Sequence, residues 1–233
     1  NSYKERNPFL GCRAIRFSLE NEQLFRTQIR AILRASNYGK VRMMFPMITT
    51  VEELIKSRSI VYECMNELRK KKIPFDENIE IGIMIEVPSA IINADILARY
   101  ADFFSIGTND LVQYTLAVDR ISERIAYLYN PLNLAVLRML RMVVETAERN
   151  NTPISICGEM AGEPKYAMLL IGLGFRVFSM GPAYMNQVKR IIRSVSAEEC
   201  RRLVDELLAS EKTDEIESKM HAIITEKFPW VTL

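Results

Sequence analysis

Histidine is nearly absent: the 233-residue chain has one, His221, in a charged C-terminal stretch that reads as solvent-facing. Imidazole is the side chain that ordinarily titrates nearest neutrality, so chemistry that needs a pair of histidines is excluded. The four cysteines, Cys12, Cys64, Cys157 and Cys200, are scattered and form no C-x-x-C pair. That spacing excludes the usual cysteine zinc site and points to a reduced, cytoplasmic setting. No secretory signal opens the chain, and no apolar run is long enough to span a bilayer. Net charge is also scarce, at +2, which gives no reason to expect nucleic acid or a membrane as partner. The basic run Arg69 to Lys72 ends a helical stretch, where cations favour the negative end of the helix dipole.

What is present is ordinary for a globular α/β protein: 48% apolar residues and 26% charged ones. Short apolar runs alternate with longer amphipathic stretches. Strands are expected at Val41 to Pro46, Glu80 to Pro88, Phe103 to Gly107, Pro153 to Glu159 and Arg176 to Met180. Helices are expected over Glu20 to Ser36, Val51 to about Lys72, Ser89 to Tyr100, Leu111 to Val118, Pro131 to Asn150, Pro164 to Gly174 and Pro182 to Ser194. Thr49 or Thr50 is placed to cap the second of these, with Glu52 and Glu53 in its first turn. Beyond Ser196 the chain is charged and helical with no further strand. No linker or low-complexity segment divides it, so residues 1–233 read as one domain.

About five strand–helix alternations imply a parallel sheet with right-handed crossovers. A doubly wound sheet and a (β/α)8 barrel both fit. Polar residues at the strand ends favour the barrel, because Glu86, Asn109, Asp110 and Cys157 close three successive apolar runs. A barrel gathers its strand ends around one pocket at the carboxyl-terminal rim. Five strands do not close eight, so the chain reads as most of a barrel with its first strands missing.

Two carboxylates at successive strand ends, Glu86 and Asp110, suit Mg²⁺, which takes one or two carboxylates and completes its octahedron with water and substrate oxygens. Arg13 and Arg120 lie in loops and are shaped for bidentate contact with carboxylate or phosphate. Cys157 is either a buried, inert thiol or an acid facing the pocket. Each has a plainer reading: Asn109 and Asp110 as helix caps, Glu86 as a capping or lysine-paired acid, and the arginines as solvated surface groups.

Taken together, several stretches resemble the C-terminal, phosphoenolpyruvate-binding domain of the Enzyme I family (phosphoenolpyruvate–protein phosphotransferases) of the bacterial sugar phosphotransferase system. They are Asn7 to Arg16 (NPFLGCRAIR), Met44 to Met47 (MFPM), Glu86-Val87-Pro88, Gly107 to Leu111 (GTNDL), Gln113 to Arg120 (QYTLAVDR), Cys157-Gly158-Glu159 and Phe178-Ser179-Met180. They occur in order from about residue 7 to 210. Pyruvate phosphate dikinase and phosphoenolpyruvate synthase share the Glu-x-Pro, Gly-Thr-Asn-Asp and Cys-Gly-Glu stretches.

The resemblance implies a (β/α)8 barrel that binds phosphoenolpyruvate and Mg²⁺ at its rim. By that analogy Glu86 and Asp110 hold the metal, Asn109, Asp110, Arg13 and Arg120 make up the substrate-binding set, and Cys157 protonates the enolate to give pyruvate. The phosphoryl group would pass to a histidine of the family's own N-terminal domain and on to the histidine phosphocarrier protein; a homodimer is also implied. That N-terminal domain and two upstream arginines of the family's site are absent, and His221 lies in no matching motif. The chain alone is therefore expected to be inactive in phosphotransfer and weak in binding. Cys12 stands where the family has tryptophan or tyrosine, Val112 where it has threonine, and Gly181 where it has serine or alanine. The alternatives are the barrel of a dikinase or synthase, or a non-catalytic dimerisation module.

Overall fold

The computed structural model describes residues 7–231. Helices α1 (Ala14–Glu20) and α2 (Glu22–Ala35) precede β1 (Arg42–Phe45) and α3 (Val51–Lys70). Strand β2 (Glu80–Ile85) leads into α4 (Pro88–Ile92) and α5 (Ala94–Leu97), then β3 (Phe104–Gly107) runs directly into α6 (Thr108–Leu116). An irregular loop with one 3₁₀ turn, Ala126–Leu128, precedes α7 (Leu134–Arg149). Strand β4 (Ile154–Cys157) is followed by α8 (Glu159–Gly162), α9 (Ala167–Leu173) and α10 (Pro182–Ile192). Two more helices follow, α11 (Ala197–Leu208) and α12 (Thr213–Lys227).

The four strands form one parallel sheet in the order β1-β2-β3-β4. Every sheet neighbour is thus a sequence neighbour. A doubly wound sheet must reverse its strand order at a switch point; this sheet does not, which is the winding of a (β/α) barrel. Register pairs Phe45 with Ile83, Ile85 with Ile106, and Gly107 with Cys157, so the carboxyl ends of β2, β3 and β4 lie side by side. All four residues of β3 are buried, as a strand covered on both faces requires.

The helices supply the cover. On α7, Val136, Leu137, Leu140, Val143, Val144 and Ala147 form one buried stripe, and Asn133 Oδ1 caps the start by accepting from Ala135 N–H at 2.9 Å. A capping box of Thr50 and Glu53 starts α3; the cap is Thr50. Helix α9 is buried all round, and Gly172 lets it press against the backbone of Cys200 in α11.

Three expectations need correction. Arg176 to Met180 is not a strand of the sheet: its pairing is one bridge, Ile156 with Phe178, made by Ile156 N–H to the Val177 carbonyl and Ser179 N–H to the Ile156 carbonyl. Ser89 to Tyr100 is two short helices broken at Asn93. The helix expected from Glu20 begins at Glu22, because Asn21 separates α2 from the preceding α1. The polar residues 1–6 lie outside the described residues.

Candidate active site

Glu86 follows β2 and is buried. Its Oε1 accepts the Met47 backbone N–H at 2.6 Å, and Met47 adopts a left-handed conformation, φ 55°. That backbone costs an ordinary residue about 1–2 kcal/mol, and here it accompanies an amide that meets a carboxylate past β1. Gly107 lies beneath: a Cβ there would sit 2.7 Å from Glu86 Oε2 and 2.9 Å from Glu86 Cβ. Burial, and then the charge of Asp110, push the Glu86 pKa up to about 7 against the pull of the Met47 hydrogen bond.

Asp110, in the first turn of α6, is also buried, yet it is paired on both oxygens. Arg13 reaches Oδ2 at 3.1 Å and Arg120 reaches Oδ1 at 2.6 Å. Arg120 returns to the strand end because α6 stops at Ala117, left-handed at φ 54°. The Val118 N–H then bonds the Gln113 carbonyl, and the Arg120 N–H bonds Gln113 Oε1 at 3.2 Å. Arg13, just ahead of α1, also donates to the Tyr114 hydroxyl at 3.3 Å, and that hydroxyl donates to the Phe9 carbonyl.

Asn109 joins the next strand end. Its Oδ1 accepts the Glu159 N–H at 2.9 Å and its Nδ2 donates to Glu159 Oε1 at 3.2 Å. The Tyr129 hydroxyl donates to its backbone carbonyl at 3.2 Å. Burial first, and then the charge of Glu159, push the Tyr129 pKa up to about 12, so this hydroxyl keeps its proton. Gly158, at φ +85°, leaves no room for a Cβ beside Thr108 and Asn109. The Cys157 thiol donates to the Ile106 carbonyl at 3.2 Å and lies 3.6 Å from the Ser105 hydroxyl. Burial, and in smaller measure the charge of Glu86, raise its pKa, while Ser105 opposes them.

The family described as "PEP-utilising enzyme, PEP-binding domain" matches residues 1–197. The chain belongs to this family. It is 45% identical over 216 residues to a phosphoenolpyruvate-protein phosphotransferase of Priestia megaterium, covering 93% of this chain and 38% of that protein. The corresponding protein of Haemophilus influenzae is 43% identical over 223 residues, covering 96% of this chain and 39% of that protein. The chain therefore spans less than two-fifths of the length of these curated relatives. A crystal structure of a citrate lyase from Burkholderia xenovorans LB400 has a like fold, with TM-score 0.53 and 16% identity over 89% of this chain and 70% of that one.

In this chain, Glu86, Asn109, Asp110 and Cys157 sit at the adjoining ends of β2, β3 and β4, and both arginines fold back onto Asp110. Asn109 differs from expectation in one respect: its amide is largely engaged by Glu159. His221 lines a separate cleft of about 190 Å³ with Lys165, Glu217 and Asn130. Sequence reasoning passed over Met47, Tyr114, Phe9, Tyr129 and the clamping role of Glu159. Phe9, Met47, Tyr114 and Glu159 lie inside the stretches that carry the family resemblance, whereas Tyr129 lies in none of them. Among the described residues no cluster of three or more His, Cys, Asp or Glu side chains is disposed to hold a metal, and no helix is long and apolar enough to cross a membrane.

Proposed function

We propose that the rim site binds phosphoenolpyruvate with Mg²⁺, and that the chain is the substrate-binding part of a longer phosphoenolpyruvate–protein phosphotransferase. The observation that carries this reading is Asp110, buried beside Glu86 and gripped on separate oxygens by two arginines from different loops. Two guanidiniums converging on one carboxylate form a site for a ligand with two anionic groups, here phosphate and carboxylate.

The residues fit a divalent cation. Glu86 and Asp110 offer hard oxygen donors, and burial, with the charge of Asp110 beside it, holds Glu86 near a pKa of 7, a cost of ionisation that a bound dication would offset. Glu86 and Asp110 would hold the ion, leaving its other positions to substrate phosphate and water. When bound, the metal would offset charge on the phosphoryl oxygens. Arg13 and Arg120 exchange part of their hold on Asp110 for ligand oxygens. Asn109 keeps one amide hydrogen for the same ligand. As the P–O bond breaks and the phosphoryl group passes to an acceptor histidine of the longer protein, the enolate's methylene carbon takes the Cys157 proton and pyruvate forms. A thiol whose pKa is raised holds that proton at neutral pH.

Onward transfer to a histidine phosphocarrier protein for sugar uptake, a cytoplasmic setting and a homodimer belong to this same reading. It is favoured over a dikinase or synthase barrel by the names of the similar relatives. Calorimetric titration with phosphoenolpyruvate, with and without Mg²⁺, tests it. Binding that needs Mg²⁺ and is lost in Asp110→Ala is the expected result; no binding at millimolar ligand overturns an autonomous site. Cys157→Ala is expected to keep the affinity but, built into a full-length relative, to reduce turnover at least tenfold.

A further inference from the structure

Arg13 and Arg120 share more than Asp110. The guanidinium carbon of Arg13 lies 5.4 Å from the centre of the Phe9 ring, and that of Arg120 lies 5.8 Å from the same ring. Two like charges from two separate loops thus meet one aromatic side chain. Phe9 sits in the short 3₁₀ turn Pro8–Leu10, and its carbonyl is held by the hydroxyl of Tyr114, the residue that also receives Arg13. One carboxylate and one ring therefore hold both arginines.

The two holds differ in kind. Asp110 consumes guanidinium N–H groups, and those are the groups that an anionic ligand must engage. An aromatic face attracts the cation through its quadrupole and takes no hydrogen bond. A ring contact can therefore persist while the N–H groups change partner. Without it, two repelling cations released from Asp110 would separate into solvent.

We propose that Phe9 is a positioning residue, one aromatic platform that keeps Arg13 and Arg120 converged while their N–H groups exchange Asp110 for the ligand's anionic oxygens. The ligand half of this statement rests on the phosphoenolpyruvate reading given above.

Two substitutions separate a platform from mere packing. Phe9→Leu keeps apolar bulk and removes the π face, whereas Phe9→Trp strengthens the face. The indole has room, because Phe9 also lines a crevice of about 380 Å³ with Pro8, Leu10, Tyr114, Val118 and Ile125. In titrations of the whole chain with phosphoenolpyruvate and Mg²⁺, Phe9→Leu should weaken binding about 3- to 10-fold, and Phe9→Trp should bind at least as well as the parent. The reverse order, with leucine the milder change, is the packing result and overturns the proposal. A second measurement needs no ligand. Urea unfolding should show that Phe9→Leu lowers the folding equilibrium constant several-fold in the parent but much less in an Arg120→Gln background. Equal losses in the two backgrounds overturn the platform. Coupling in this cycle, together with no binding of phosphoenolpyruvate by the parent chain, sustains the platform and places the failure in the ligand reading.

Discussion

Glu86 is an acid in a place that suits its neutral form. Its native pKa, about 7, stands above the ordinary carboxylate value of 4.5. Between those two values the native state holds a proton that the unfolded chain has released, so stability falls as pH rises through that window. The loss is complete by about pH 8, and it amounts to about 3 kcal/mol. Glu86→Gln should remove this slope, leaving the variant more stable than the parent at pH 8 and similar to it at pH 4, as read by urea unfolding across pH. Mg²⁺ bound at the pair should draw the Glu86 pKa down. Metal binding at pH 6 should then release a proton, which calorimetry in two buffers of different ionisation enthalpy detects. Asp110 is the opposite case, an acid with both oxygens paired. Asp110→Asn leaves two guanidiniums facing each other without their anion. A fully buried triad would lose about 3–5 kcal/mol; with the arginines 32% and 27% exposed, a loss of about 1–3 kcal/mol is expected.

At the scale of elements, the site depends on how strands stop. Gly107 ends β3 under the Glu86 side chain, and Gly158 ends β4 against Thr108 and Asn109. Gly107→Ala places a methyl group 2.7 Å from Glu86 Oε2, so either the carboxylate or β3 must move. A loss of about 1–3 kcal/mol is expected, with the Glu86 titration shifted toward the ordinary range as the carboxyl is pushed toward water. Such stops are what made the site legible. Pro88, Gly107 and Gly158 each interrupt an apolar run beside a polar residue, so Glu86, Asp110 and Cys157 could be placed at strand ends from local pattern alone. The segment Arg176 to Met180 looked the same locally, but Val177 is 58% exposed and only Phe178 bridges β4. A strand is defined by its partners, and no local pattern states them. The Arg13–Tyr114 bond was hidden for the same reason, since it joins residues 101 apart in the chain. Met47 was hidden differently: its role belongs to its backbone N–H, which composition does not reveal.

Over the whole molecule, the sheet is graded from its centre to its margins, and the candidate site straddles that gradient. β3 is buried throughout and paired on both sides, whereas β1, among the described residues, pairs only with β2 and alternates exposed and buried residues. Beyond β4 the pairing shrinks to a single bridge. The acids Glu86 and Asp110 stand at the ends of the two central strands, while Cys157 stands at the end of a strand that is paired on its outer side, among the described residues, by that bridge alone. Amide hydrogen exchange should follow this order. The amides of Phe104 to Ile106 should open only with global unfolding, those of β1 earlier, and those of Val177 and Ser179 earliest, because local stability tracks buried apolar contacts and paired neighbours. A ligand that bridges Asp110 and Asn109 acts on the rim between β3 and β4, since Asn109 is tied to Glu159 by two hydrogen bonds. Added phosphoenolpyruvate with Mg²⁺ should therefore slow exchange at Cys157, Gly158 and Glu159 more than at β3, which has little protection left to gain. Equal slowing along β1 and β4 would instead mean that the ligand stabilises the fold as a whole, without drawing the β4 end onto the paired acids.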